Sequence, residues 1–114
     1  MNKLFLLTTV TACVCATAHA ESACERLPLP ELNYSADMEL AKVVEMQTSV
    51  KEFVASGEAY LKCIDGEKAK AGEEASDEQR GEWLALYNAA VDDMKTTADR
   101  FNGIVREYKS AHPK

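Results

Sequence analysis

The sequence has little proline, little histidine and no pattern typical of β-strands. Its prolines are Pro28, Pro30 and Pro113, and its histidines are His19 and His112. Because no proline interrupts the long stretch between the second and third prolines, that stretch is free to form helices. No run of β-branched residues alternates with polar ones, so no strand is predicted. His112, close to the C-terminal end, gives no nucleophile–histidine pair for catalysis.

The chain also lacks an excess of positive charge and any recognisable cofactor motif. Its formal net charge is −6, which repels nucleic acid and anionic membrane surfaces. There is no glycine-rich phosphate loop and no clustered set of zinc ligands. The adjacent acids Glu73-Glu74 and Asp92-Asp93 are read as solvated charge, because neighbouring helical residues do not face one another. Met46 and Met94 are read as core filler, so we expect no enzyme, no cofactor and no metal site.

The first twenty residues predict a secretory signal peptide. Lys3 is followed by an uncharged run from Leu4 to Ala18, and Ala18-His19-Ala20 is a small-x-small cleavage signal. The run is too short for a comfortable membrane span of roughly 20 residues, so no span is expected. We expect cleavage after this signal and a single exported domain of residues 21–114.

Cysteine usage supports an exported domain with one disulfide. Of the four cysteines, Cys13 and Cys15 fall within the leader, which leaves Cys24 and Cys63. In an oxidising compartment such a pair is expected to be bridged, and two free buried thiols are the alternative. A second alternative concerns the leader itself. Residues 10–13 resemble a bacterial lipobox, which would place a lipid on Cys13.

Two amphipathic segments predict an all-α fold, an antiparallel two-helix hairpin. The first helix is predicted at about 35–64, with Ser35 as its N-cap and Asp65-Gly66 as its stop. The second is predicted at about 76–110, because Ser76 to Gln79 forms a capping box. The segment between them is read as a turn region, either a loop or partly helical.

Each predicted helix carries a main apolar stripe and a flanking stripe with a seven-residue period. The main stripes are Leu40, Val43, Val50, Val54, Leu61 and Ile64, and then Trp83, Tyr87, Ala90, Met94, Thr97, Phe101, Ile104 and Tyr108. The flanking stripes are Met46, Phe53 and Tyr60, and then Leu84, Val91, Ala98 and Val105. Because contiguous exposed apolar surface marks association, the last of these stripes is the predicted partner-binding surface.

Residues 21–34 predict an extended arm, since their two prolines disfavour helix. The eleven residues from Cys24 to Ser35 reach roughly 36 Å at about 3.3 Å per residue. The first helix as far as Cys63 spans about 42 Å at 1.5 Å per residue. Since bridged cysteines need Cα atoms within about 7 Å, a disulfide would dock the arm along the first helix, on its Met46, Phe53 and Tyr60 side. An unattached tail is the alternative.

Five short segments of the chain are characteristic in their succession. They are Cys24 with Leu27-Pro28 and Pro30, then Val50–Val54, Ala59–Cys63, Tyr87–Asp92 and Phe101–Arg106. Together they resemble a group of small, uncharacterised exported proteins of Gram-negative bacteria, over nearly all of residues 21–114. The resemblance implies a periplasmic address and a disulfide, and it implies no activity and no catalytic residues. Asn88 and Asn102 stand out in these segments, either as polar residues that fix helix register or as solvent-facing ones.

Two classes of function remain. The first, which we favour, is a non-enzymatic interaction protein of the periplasm whose partner is a second copy of the chain or another exported protein. The second is a carrier for a small ligand or metal, with a pocket between the helices around Tyr60, Trp83 and Tyr87.

Overall fold

The computed structural model describes residues 24–114. The predicted signal peptide at residues 1–20, with its cleavage site and the alternative lipid site at Cys13, therefore lies outside the described residues. Two long helices dominate the described part, α1 at Leu40–Ala71 and α2 at Asp77–Ala111, and no strand occurs in it. The two helices pack against each other, which confirms the predicted all-α class.

The contacts between the two helices show that α1 and α2 run in opposite directions. Near the connection, Tyr60 and Ile64 of α1 share an apolar cluster with Ala90 of α2. Farther from it, Met46 of α1 shares a second cluster with Ile104 of α2. Residue numbers thus fall along α1 as they rise along α2, so the helices form an antiparallel hairpin.

The core lies between the two stripes predicted for α1 and beneath the main stripe of α2. The buried residues of α1 are Val43, Met46, Val50, Phe53, Gly57, Tyr60 and Ile64. The buried residues of α2 are Ala90, Thr97 and Ile104. Leu40 is exposed, whereas Val54 and Leu61 are half-buried, so the outer edge of the first α1 stripe lies beside the core.

The predicted start of the first helix is wrong. Helix α1 begins at Leu40, and its N-cap Glu39 has extended backbone angles and no capping side-chain hydrogen bond. Ser35 instead belongs to a turn, in which its carbonyl oxygen accepts a hydrogen bond of 3.0 Å from the Met38 amide. This turn lets Tyr34 and Met38 pack against the apolar cluster at this end of the hairpin. The N-cap therefore lies four residues later than predicted, at Glu39.

The predicted end of the first helix is also wrong. Gly66 does not stop α1, which continues to Ala71. The residues from Glu67 onward are strong helix formers, and they outweigh the cost of about 1 kcal/mol for one interior glycine. Gly72, with a φ of 55°, ends the helix in a conformation that glycine adopts without strain. The segment 65–75, for which loop and helix were both open, is therefore mostly helical.

The start of the second helix agrees with the sequence. After a 3₁₀ turn at Gly72–Glu74, Ser76 caps α2. The Ser76 hydroxyl accepts a hydrogen bond of 3.1 Å from the Gln79 amide, and the Gln79 side-chain oxygen accepts one of 3.1 Å from the Ser76 amide. The predicted capping box is confirmed, and the helix ends at Ala111, one residue beyond the prediction.

The two helices are in tight contact where Gly57 of α1 meets the side chain of Met94 of α2. A Cβ atom built on Gly57 would lie 2.8 Å from Met94 Cγ and would also overlap its sulfur. Gly66, in the same helix, has open space at the corresponding position. Met94 therefore occupies the space beside Gly57 that a side chain would need, whereas the space beside Gly66 is open.

We expect Gly57→Ala and Gly66→Ala to change stability in opposite directions. Gly66→Ala should raise the free energy of unfolding by about 0.5–1 kcal/mol, because alanine favours helix and meets nothing. Gly57→Ala should lower the free energy of unfolding by about 1–3 kcal/mol relative to the wild type, because its methyl group would be overpacked against Met94. Urea unfolding of both variants measures the difference, and equal shifts would contradict the assigned contact.

Candidate functional site

The disulfide fixes the residues that precede α1 onto its C-terminal half. Cys24 and Cys63 are bonded, with their Cα atoms 5.6 Å apart, and Cys24 is buried. The carboxylate of Glu67, one turn beyond Cys63, lies with both sulfurs in a group whose ligand atoms are within 4.8 Å of one another. Since the two sulfurs are bonded to each other, they offer no thiolates for a metal in this form.

The side chains predicted to surround a carrier pocket pack together instead. Tyr60 is buried beside Ile64 and Ala90, and Trp83 and Tyr87 pack against the same cluster. The Arg26 guanidinium lies 5.6 Å from the centre of the Tyr60 ring and covers it from the arm side. These side chains therefore form one packed cluster in the region of the predicted carrier pocket.

Residues 24–39 contact both helices through specific hydrogen bonds. Arg26 donates to Asp93 of α2 at 2.8 Å, and the Leu27 amide donates to the Ser56 hydroxyl of α1 at 3.2 Å. Farther along, the Leu32 carbonyl accepts a hydrogen bond of 3.2 Å from the Arg100 guanidinium, and Leu32 itself is buried. These contacts all lie in one of the two grooves between α1 and α2.

The stripe predicted to bind a partner lies on the opposite side of α2 from these contacts. Leu84 is 59% exposed and Val91 is 38% exposed, while Ala98 and Val105 are half-buried. At about 100° per residue, Val91 is roughly 200° around the helix from Asp93, the residue that Arg26 contacts. The predicted stripe therefore borders the second groove of the hairpin.

The matching edge of α1 is also apolar and incompletely buried. Val54 and Leu61 are half-buried, and Val54 is roughly 200° around α1 from Ser56, the residue that Leu27 contacts. We use the name open face for Val54 and Leu61 of α1 together with Leu84, Val91, Ala98 and Val105 of α2. The hydrogen bonds of Arg26, Leu27 and Leu32 do not reach this face.

Charged residues border the open face on α1. Lys51, Glu58 and Asp65 follow one another at seven-residue intervals, and all three are exposed. Lys51 and Glu58 lie about 60° and 40° around the helix from Val54, on the side away from the core. Neither has an ion-pair partner among residues 24–114. This rim therefore presents a positive and then a negative charge that are available to another molecule.

The residues of α2 that border the open face are polar, and their charges are more nearly balanced than those on the rim of α1. Lys95 forms an ion pair of 2.6 Å with Asp99, and this hydrogen bond together with the Asp99 charge raises the pKa of Lys95. Asn88 and Asn102 are exposed, so of the two roles left open for them, the structure places them in contact with solvent. The α2 rim therefore offers hydrogen-bonding groups beside the apolar stripe.

A groove that the sequence did not predict lies at the end of the hairpin farthest from the turn. It has a volume of about 550 Å³ and lies between the Tyr34 region and the last turns of α2, where Gly103, Arg106 and Glu107 line it. The Tyr34 hydroxyl is buried without a hydrogen-bond partner among residues 24–114. Burial, and then the charge of Glu107, raise the pKa of Tyr34. Tyr34 reaches α2 only through tertiary packing, so no local sequence pattern predicts the groove.

Two further features bear on function. His112 lies at the C-cap of α2, where its ring stacks on Tyr108 at a centroid distance of 4.2 Å and contacts the Tyr108 carbonyl oxygen. It therefore contributes to the C-terminal end of α2. A search of the described residues for membrane-spanning helices finds neither α1 nor α2 apolar enough over a sufficient length.

Removal of the disulfide should cost stability. Cross-linking residues 39 positions apart restricts the unfolded chain by about 4 kcal/mol in the loop-entropy treatment, and measured losses are typically about 2–4 kcal/mol. We expect a loss in this range for the variant that carries both Cys24→Ser and Cys63→Ser, measured by urea unfolding. Thiol reduction of the wild-type protein is the matched control. If oxidised and reduced protein unfold at the same urea concentration, the bridge contributes nothing.

Replacement of Tyr34 tests the buried hydroxyl. Because the pKa of Tyr34 is raised in the folded state, the folded protein holds the phenol proton more tightly than the unfolded chain, so stability declines as pH rises through about 10. We expect Tyr34→Phe to abolish this tyrosine's share of the decline and not to lower the thermal midpoint at neutral pH. Thermal melts from about pH 8 to 11 check this, with Tyr87→Phe as the control that retains the decline. Identical pH profiles for the Tyr34→Phe and Tyr87→Phe variants would contradict the assignment.

We also compared the chain with known proteins. No protein-family model, curated protein or solved structure matches it. Among the described residues, the open face with its unpaired rim charges is the feature that bears most directly on function.

Proposed function

We propose that this protein is an exported, non-enzymatic interaction module of the periplasm, and that its partner docks an apolar helical surface on the open face. The observation that carries this proposal is the difference between the two grooves of the hairpin. One groove receives the polar contacts of residues 24–39, and the other has none of these contacts and retains exposed Leu84 and Val91. An apolar strip rimmed by polar residues is typical of a protein interaction site.

The docked arm is part of the proposal. Its contacts with Ser56, Asp93 and Arg100 support a permanent cover for the first groove, held at one end by the disulfide. A cover of this kind leaves a single groove for a partner. The module would then bind in one orientation only, because its two sides differ.

The disulfide supports the proposed location. Disulfides persist in oxidising compartments such as the periplasm and are rare in the cytosol. Export itself is predicted from the leader sequence, which lies outside the described residues. The non-enzymatic character is supported by the position of His112 at a helix end, where its ring is engaged with Tyr108.

A small-ligand carrier is the second candidate, and one observation favours it. The groove between Tyr34 and the end of α2 holds a buried phenol hydroxyl and an arginine, Arg106, without an ion-pair partner among the described residues. The pocket predicted around Tyr60 is filled by packing, so a carrier would use this other groove. Native mass spectrometry of the purified protein distinguishes the candidates. A bound small mass supports the carrier, and a protein complex supports the interaction module.

A lysine at position 91 tests the open face. We expect Val91→Lys to abolish partner binding without unfolding the protein, because Val91 lies in the proposed contact and is already 38% exposed. Leu86→Lys is the matched control, since Leu86 is also 38% exposed and lies about 140° around α2 from Val91, on the side of Asp93. Each protein is immobilised with its disulfide intact and exposed to an envelope extract, and thermal melts check folding.

The result expected is a partner that the wild-type protein and Leu86→Lys retain and that Val91→Lys loses. If Val91→Lys and Leu86→Lys retain the same proteins as the wild type, the open face does not bind a partner and the proposal fails.

A further inference from the structure

We infer that the partner on the open face is a second copy of this chain, packed face to face and antiparallel, so that four helices form a bundle. This inference rests on the proposed function, since it names the occupant of the same surface. Two independent features of charge point to this occupant and to this orientation, and the dimensions of the face agree with it.

The first feature is the distribution of charge along the hairpin. Around the turn, between residues 65 and 82, seven acidic residues stand against three basic ones. At the other end, residues 31–51 and 101–114 together carry five acidic and five basic residues. A pairing with the two turns side by side would bring two strongly acidic ends together. An antiparallel pairing instead places each acidic end against a balanced one.

The second feature is the rim of α1. Lys51 and Glu58 flank Val54 almost symmetrically, three residues before it and four after it, and both are exposed without an ion-pair partner among the described residues. When two antiparallel α1 helices cross near Val54, Lys51 of one copy meets Glu58 of the partner subunit, and the second such pair follows by two-fold symmetry. The rim is therefore complementary to itself only in the antiparallel orientation.

The size of the open face fits a modest dimer. From Leu84 to Val105 it extends about 32 Å at 1.5 Å per residue. Two helices about 10 Å apart make it roughly 20 Å wide, so two copies would bury about 1,300 Å² in all. This area is at the low end for specific complexes, so we expect association in the micromolar range. Flanking charges at seven-residue intervals are the usual means by which such bundles set orientation.

The test is the oligomeric state of the purified exported protein with its disulfide intact. Sedimentation equilibrium, from nanomolar to high micromolar concentration, should show a monomer–dimer equilibrium for the wild type. Val91→Lys should be monomeric, and the matched control Leu86→Lys should dimerise like the wild type. Glu58→Lys should weaken association about tenfold or more, because it replaces two attractive pairs with two repulsive ones.

The charge swap tests the orientation. The double variant Lys51→Glu, Glu58→Lys exchanges the two charges and should restore dimerisation, since each altered residue again meets its opposite on the partner subunit. Failure of this rescue would overturn the antiparallel arrangement. A wild type that stays monomeric throughout would overturn the dimer. If Val91→Lys nevertheless loses a different captured protein, the proposed function survives, whereas both proposals fail if Val91→Lys changes neither result.

Discussion

The covalent bond between Cys24 and Cys63 is the constraint on which the rest of the molecule depends. A hairpin of two helices has two equivalent grooves along its seam, and neither is distinguished by the backbone alone. Attachment of the N-terminal segment to α1 brings Arg26 and Leu27 beside one groove, where they find Asp93 and Ser56. The two sides of the molecule thereby become chemically different, because one carries the arm and the other carries exposed Leu84 and Val91.

The features of the fold that depend on local chemistry were predictable from the sequence. The capping box at Ser76 was recognised because its two hydrogen bonds need only residues three positions apart. The apolar stripe of α2 was recognised because every turn of the helix repeats it. By contrast, the predictions that Ser35 caps the first helix and that Gly66 ends it are wrong, since either role depends on the packing and the helix propensity of the neighbouring residues. Packing of Tyr34 decided the first case, and the helix-forming residues after Gly66 decided the second.

The surface itself was predictable in part. The sequence indicated the stripe containing Leu84 and Val91, and these two side chains are indeed exposed in the folded protein. Which residues of α1 complete the face depends on how the helices are rotated about their axes, and a single sequence does not fix that rotation. The groove beside Tyr34 was not predictable for the same reason, since it joins residues about seventy positions apart.

The absent side chain at Gly57 has a consequence beyond local packing. Both grooves are bounded by the same pair of helices, so their widths cannot be adjusted separately. Met94 fills the space beside Gly57 at mid-length, so the packing at this point affects both the arm on one side and a bound partner on the other. A substitution at Gly57 would therefore alter the fit of both the arm and the partner. The free energy of unfolding and the affinity for a partner are expected to change together in this protein.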